Sequence, residues 1–178
     1  MTDAALVVAL ANAQAARRPT DAPVAVPHDA LADAASASEL LAPFLGRSVD
    51  ARELAVVRAL QRAVVAIVDA LIDGSQPPLE ALNALAARAP AVYALEPQPD
   101  GRLRTTLRPK RPSAAAALLT AVIRELSELE PSRLRRCARR ECTLVFYDTT
   151  RSATQRWHAE RPCGLRERQR RHRAKHAT

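Results

Sequence analysis

At 178 residues, with 48% hydrophobic and 26% charged residues, the chain can hold one ordinary domain and a small appendage. Its net charge of +8 is unevenly shared: residues 1–130 carry 13 Lys/Arg against 15 Asp/Glu, whereas residues 131–178 carry 14 against 4. The basic third therefore implies a polyanionic partner, while an aromatic content of 3% argues against a single-strand binder, which needs stacking side chains between its cations.

In chain order, residues 4–17 read as a first helix ended by Arg17-Arg18-Pro19, and Pro19, Pro23 and Pro27 mark a loop around His28. Met1-Thr2-Asp3 has neither a basic start nor a following apolar run, so no signal peptide is expected. Short helices follow over 29–35 and 38–45, the second begun by a Ser38 cap. Asp50, with Glu53 three residues on, forms a capping box for a long helix to Asp73, and Gly74 is a natural stop. The most apolar stretch, Leu54 to Ile72, lies inside that helix. Arg58, Arg62 and Asp69 interrupt it, which makes it a buried helix rather than a membrane span. Pro77-Pro78 opens another helix to Ala89, with Leu79, Leu82 and Leu85 on one side.

Between Pro90 and Pro112 the period shortens to two. Residues 91–96 and 102–108 read as strands joined around Asp100-Gly101, and Leu103, Thr105 and Leu107 alternate with Arg102, Arg104 and Arg108. Ser113 then caps a helix to about Leu129 that is apolar through Leu118, Leu119, Val122, Ile123 and Leu126. Pro131 marks the end of a first domain. The fold class is thus mainly α with a small β-hairpin (α+β): a helical domain over 1–130 with its hairpin near 91–108, then a small unit over 131–178.

That second unit holds all three cysteines, as Cys137-x4-Cys142 and, further on, His158-x4-Cys163. Zinc takes four N/S ligands in a closed tetrahedron, and two close pairs separated by a loop supply them. An odd number of cysteines also fits a Cys3His site better than a disulfide framework, and places the protein in a reducing cytoplasm. On spacing alone His172 rivals His158 as the fourth ligand. Leu134, Leu144, Val145, Phe146, Tyr147, Trp157 and Leu165 are too few large apolar residues for a free-standing fold, so metal is expected to hold residues 133–178 in shape.

The order of elements here, Cys137, Cys142, Leu144-Val145-Phe146-Tyr147-Asp148-Thr149-Thr150-Arg151, Arg156-Trp157-His158 and Cys163-Gly164-Leu165-Arg166, resembles the CGNR-type zinc finger over about residues 133–176. His158 stands where that family has its third cysteine, which selects it over His172, and Leu165 replaces the family's Asn. The resemblance implies a zinc-knuckle or treble-clef-like finger with one structural zinc on Cys137, Cys142, His158 and Cys163. Such fingers close chains that begin with an ABATE domain, a helical region of a stress-induced transcription regulator family. Leu6, Leu10 and Asn12 fall at that domain's opening pattern, with Ala9 and Ala13 in place of its Asp and Thr.

After Cys163 the chain runs into a basic helix expected to start near Pro162. Arg166, Arg170 and Arg173 share one face; Arg168, Arg171 and Lys175 share an adjoining one. Arg151 and Arg156 extend this cationic set, and Arg135, Arg136, Arg139 and Arg140 widen it around the knuckle. Thirteen of the last third's 14 cations are arginines, whose planar fork suits phosphate and guanine edges. The expected partner is double-stranded DNA, with a homodimer and a small-molecule or protein signal expected at the first domain, and no membrane. Phe146, Tyr147 and Trp157 are expected to be core, and Asp148 to pair with Arg151 or Arg156. The alternative is a protein- or RNA-interaction module stabilised by zinc. A hydrolase would need an open zinc position and a general base, and no His-rich or paired-carboxylate cluster accompanies the finger, so no enzyme is expected.

Overall fold

The computed structural model describes residues 4–14, 16–17, 26–27 and 29–176; His28, Pro19 and Pro23 of the expected loop lie outside the described residues. The body comprises α1 (Ala5–Ala11), α2 (Ala34–Leu41), α3 (Ala51–Ile72), α4 (Glu80–Arg88) and α5 (Ala114–Glu128). Short strands β1 (Ala16–Arg17) and β2 (Val26–Pro27) pair antiparallel, and β3 (Ala91–Pro97) and β4 (Leu103–Pro109) form the expected hairpin. After a 3₁₀ turn at Pro131–Arg133, β5 (Leu134–Arg136) pairs with β6 (Val145–Tyr147), and α6 (Leu165–His176) ends the chain. Each strand pair is its own two-stranded sheet, so the architecture is α+β and mainly helical.

The long helix α3 organises the rest. Its Val57, Leu60, Val64, Ile67 and Val68 recur at helical spacing and are almost fully buried. Against them pack Leu6, Val7 and Leu10 of α1 and Leu118 and Val122 of α5. The expected capping box forms: Asp50 accepts from Arg52 N and Glu53 N, and the Glu53 carboxylate accepts from Asp50 N. Glu53 also accepts from Ala114 N at 2.6 Å, at the first turn of α5, so one carboxylate satisfies donors at two helix starts. The α1 start has no cap of its own. Glu125, from α5, supplies it by accepting from Leu6 N and Val7 N.

Several expected boundaries move. The first helix ends at Ala11 rather than residue 17, because Asn12 leaves the helix to clasp Val145, accepting from its N–H at 3.0 Å and donating to its carbonyl at 2.9 Å. One helix, α2, replaces the two expected short ones. Asp33 caps it, and Ser38 lies inside, where its hydroxyl donates to Ala34 O and accepts from Val49 N. Helix α4 begins at Glu80, two residues beyond Pro77-Pro78, and leaves Leu79 exposed. At Gly101 the hairpin turn takes a φ of 80°, where a side chain would be strained.

The core does not stop at residue 130. Leu134, Val145 and Tyr147 belong to the same buried cluster as α1, α3 and α5. Tyr147 Oη accepts from Glu130 N, and Arg136 pairs with Asp69 at 3.0 Å and Asp73 at 3.5 Å, at the last turn of α3. The β5–β6 hairpin, which the sequence reading missed, thus leans on the helical body rather than depending on metal alone. Replacing Asn12 by Ala removes both bonds to Val145 and should lower the unfolding free energy by about 1–3 kcal/mol, measurable by urea denaturation. An unchanged midpoint would show that the clasp adds nothing to the packing around it.

Candidate metal centre and its cationic surface

Three local structures bring the ligands together. Cys137 follows β5 and is fixed by its N–H to Leu144 O at 2.9 Å; Cys142 closes a tight turn through its N–H to Arg139 O. His158 ends the 148–158 loop, which is tied back by Ala138 N donating to Arg156 O. Cys163 sits in a bend just before α6, where Arg161 is extended rather than helical and the helix proper starts at Leu165, later than Pro162. Its neighbour Gly164 is buried, and a Cβ there would meet the Glu160 carboxylate, which folds over this bend to reach Arg168.

The four ligand atoms all lie within 4.8 Å of one another. His158 Nδ1 is 3.5 Å from Cys142 Sγ and 3.7 Å from Cys163 Sγ. Zinc–sulfur and zinc–nitrogen bonds of about 2.3 and 2.0 Å at a tetrahedral angle give an S···N edge of about 3.5 Å. The donor set therefore fits one zinc ion, held by three thiolates and one imidazole, with no position left for substrate or water. His172 is elsewhere, its ring 4.3 Å from that of His176. Burial lowers the His158 pKa, helped by the nearby charge of Arg139, which favours the neutral imidazole that ligation requires. Burial pushes the Cys142 thiol up to about 12 and also raises Cys163, where the Arg139 guanidinium opposes the shift.

Asp148 holds the loop that delivers His158. It is fully buried and accepts from Thr150 N, Thr150 Oγ1 and Gln155 N at 2.6–2.9 Å. Burial alone would raise its pKa, but these hydrogen bonds outweigh it, with help from Arg135, and hold it below the usual carboxylate range. The ion-pair partner is Arg135, at 3.7 Å, and not Arg151 or Arg156 as expected, because both of those point outward from the loop that Asp148 closes. Phe146 and Tyr147 are buried, as expected of core residues. Trp157 is only half-buried, with the guanidinium of Arg156 5.5 Å and that of Arg168 6.0 Å from its ring centroid.

The cationic residues divide into two groups. Arg168 pairs with Glu160, Arg170 and Arg171 with Glu167, and Arg139 with Glu141. Glu167 is held at a pKa of about 2, first by the hydrogen bond from Arg170 and then by that from Arg171. By contrast, Arg140, Arg151, Arg161 and Arg173 are exposed and have no acidic partner among the described residues. Arg166 is half-buried, and together with Arg139, Arg140 and Arg170 it borders a cleft of about 380 Å3 beside the knuckle. The side chain of Lys175 lies outside the described residues. Arg161 had not been expected in the cationic set; its place between His158 and Cys163 was the available signal.

A helical body ending in a closed Cys3His knuckle with an arginine-rich helix defines a zinc-finger protein. The ABATE family model, described as "Putative stress-induced transcription regulator", matches residues 4–130, and the CGNR zinc finger model matches residues 133–176. The chain belongs to the ABATE family and ends in a CGNR zinc finger. Among curated proteins nothing matches it. Leu165, at the place of the motif's Asn, is exposed at the start of α6 and offers no polar group. No helix of the described residues is long and apolar enough to cross a membrane.

Removing zinc with a chelator should abolish amide-exchange protection over residues 158–176 while leaving it over Leu134–Arg136 and Val145–Tyr147, which are packed on the body. Loss over both hairpin strands as well would mean that the metal, not the body, holds them. Because the Cys142 and Cys163 thiols carry protons when no metal is present, uptake must displace at least two. Competition titrations should therefore show affinity falling as pH falls, by at least about 100-fold per unit; a pH-independent affinity would exclude thiolate ligation.

Proposed function

We propose that this protein is a transcription regulator whose zinc finger binds double-stranded DNA, while the helical body receives the signal that sets its activity. The observation that carries this reading is the placement of exposed arginines without acidic partners, Arg140, Arg151, Arg161 and Arg173, around a rigid metal-pinned knuckle. The knuckle fixes the backbone from which these arginines project, so binding phosphates orders side chains but little of the chain itself. Arg140, Arg151, Arg156 and Arg161 around the knuckle and Arg173 on α6 supply the leading contacts, and Arg166 adds to the potential of the cleft it borders. Arg168, Arg170 and Arg171, being paired with glutamates, act mainly by setting the surface potential, and Lys175 adds to it near the end of the helix. The closed ligand set assigns the zinc no catalytic step. Thiolate ligation fits a reducing cytoplasm.

The test combines selection from sheared genomic DNA with salt titration. Zinc-loaded protein should enrich a few sites, and enrichment should vanish on chelation. The log–log salt slope of a selected site gives the number of phosphate contacts at about 0.9 per contact. The double variant Arg151→Ala with Arg173→Ala should reduce that slope by about 1.8 while retaining one zinc. Binding unaltered in the double variant would move the interface elsewhere, and retention that is insensitive to salt would exclude phosphate recognition altogether.

A further inference from the structure

Strand β4 and the outer side of α5 touch without closing on each other. Between them runs a groove of about 500 Å3, within the usual range for a small-molecule site. Tyr93, Leu107 and Pro109 of the hairpin and Ala117 and Ala121 of α5 give it apolar walls. The two alanines are too short to fill the space. Tyr93, opposite Leu107 in the strand register, is 82% exposed and starts a bare apolar face that Leu95 and Leu103 continue. Its ring is therefore not committed to packing within the chain.

One cation comes from each wall of the groove, Arg104 from β4 and Arg124 from α5. Neither is fully neutralised. Arg124 has no acidic partner among the described residues. Arg104 has Glu96 at 3.6 Å, but Arg108 takes the same carboxylate more closely, at 3.0 Å. A loose surface pair of this kind adds little, so Arg104 is available to a better acceptor. The acid that also borders the groove, Glu128, is already engaged. Thr120 and Ser127 donate their hydroxyl protons to Ala116 O and Arg124 O at 2.9 and 2.8 Å. The guanidinium groups are thus the strong donors that the groove offers.

Apolar walls and two under-neutralised arginines together define the occupant. A purely apolar molecule would cover the guanidinium groups without pairing them, and an inorganic anion would leave the apolar walls in water. We infer that the groove between β4 and α5 binds a small organic acid, its carboxylate drawn by Arg104 and Arg124 and its apolar body lying against Tyr93, Leu107 and Ala117. Arginine forks suit a carboxylate, which accepts on both oxygens. The inference gives a chemical class to the signal that the body is proposed to receive. It rests on that reading for its meaning alone, since the binding is measured without DNA.

Calorimetric titration of the zinc-loaded full chain with hydrocinnamate and with octanoate tests it. Hydrocinnamyl alcohol lacks the charge and acetate lacks the apolar body. At least one of the two larger acids should bind saturably, once per chain, with a Kd of about 1 mM or below. The alcohol and acetate should each bind about tenfold more weakly or worse. Arg124→Gln and, independently, Arg104→Gln should weaken the acid by about tenfold. Ala117→Leu, at an exposed helical position, should fill the groove and abolish binding with unchanged circular dichroism and one zinc per chain. Arg102→Gln, outside the groove, should bind as the wild type does. Amide shifts on binding should centre on Leu107, Ala117 and Ala121. No saturable binding of either acid, equal binding of the alcohol, or binding that survives Ala117→Leu would overturn the inference. None of these outcomes bears on DNA selection by the finger, so the two readings fail separately.

Discussion

Four ligand atoms from separate stretches of chain have to converge within 4.8 Å, and the last third of the molecule is built around that requirement. The stretch contains too little apolar surface to enforce the convergence by packing. Each ligand is instead placed by short-range hydrogen bonds: the turn that closes at Cys142, the Asp148 carboxylate gathering Thr150 and Gln155, and the tie between Ala138 and Arg156. Such bonds shape a loop but contribute little net free energy against water, typically about 0.5–1.5 kcal/mol each. Metal binding, worth on the order of 10 kcal/mol, turns a preferred arrangement into a fixed one.

The second support is the body. Val145 and Tyr147 enter the core shared with α3, Asn12 bonds both backbone groups of Val145, and Arg136 reaches the two aspartates ending α3. The finger is therefore connected to the helical domain by a β-hairpin that belongs to both. A change in α1 or at the end of α3 would be felt first at β5 and β6, and Cys137 follows β5 directly. On the proposed reading, this gives a signal received by the body a short covalent and packed route to the knuckle.

What could be read from the sequence is what is decided locally. The Asp50–Glu53 capping box, the Ser113 cap, the Asp100-Gly101 turn and the spacing of the metal ligands depend on residues a few positions apart, and the structure reproduces them. What escaped is decided at long range. The early end of α1 makes sense only once Asn12 meets Val145, 133 residues later, and the α1 start is capped by Glu125 from α5. Asp148 selected Arg135 because β5 and β6 are paired, a contact between two three-residue strands too short to carry a readable period. The bare apolar face of the hairpin was legible as alternation in 102–108, but alternation does not say whether a face is covered.

The acids of the last third show how its charge is distributed. There are only four among residues 131–178, and each is already engaged: Glu141 with Arg139, Asp148 with Arg135, Glu160 with Arg168, and Glu167 with Arg170 and Arg171. Every negative charge thus serves to hold an arginine or a loop near the metal, and none lies free to neutralise the outer surface. Much of the positive excess of this third is carried by arginines on a loop and a helix beside the metal site. A flexible tail of the same composition would attract polyanions just as well at long range, through charge alone. What the knuckle adds is fixed relative position, the property that discrimination among nucleic-acid shapes and base edges requires and that net charge cannot supply.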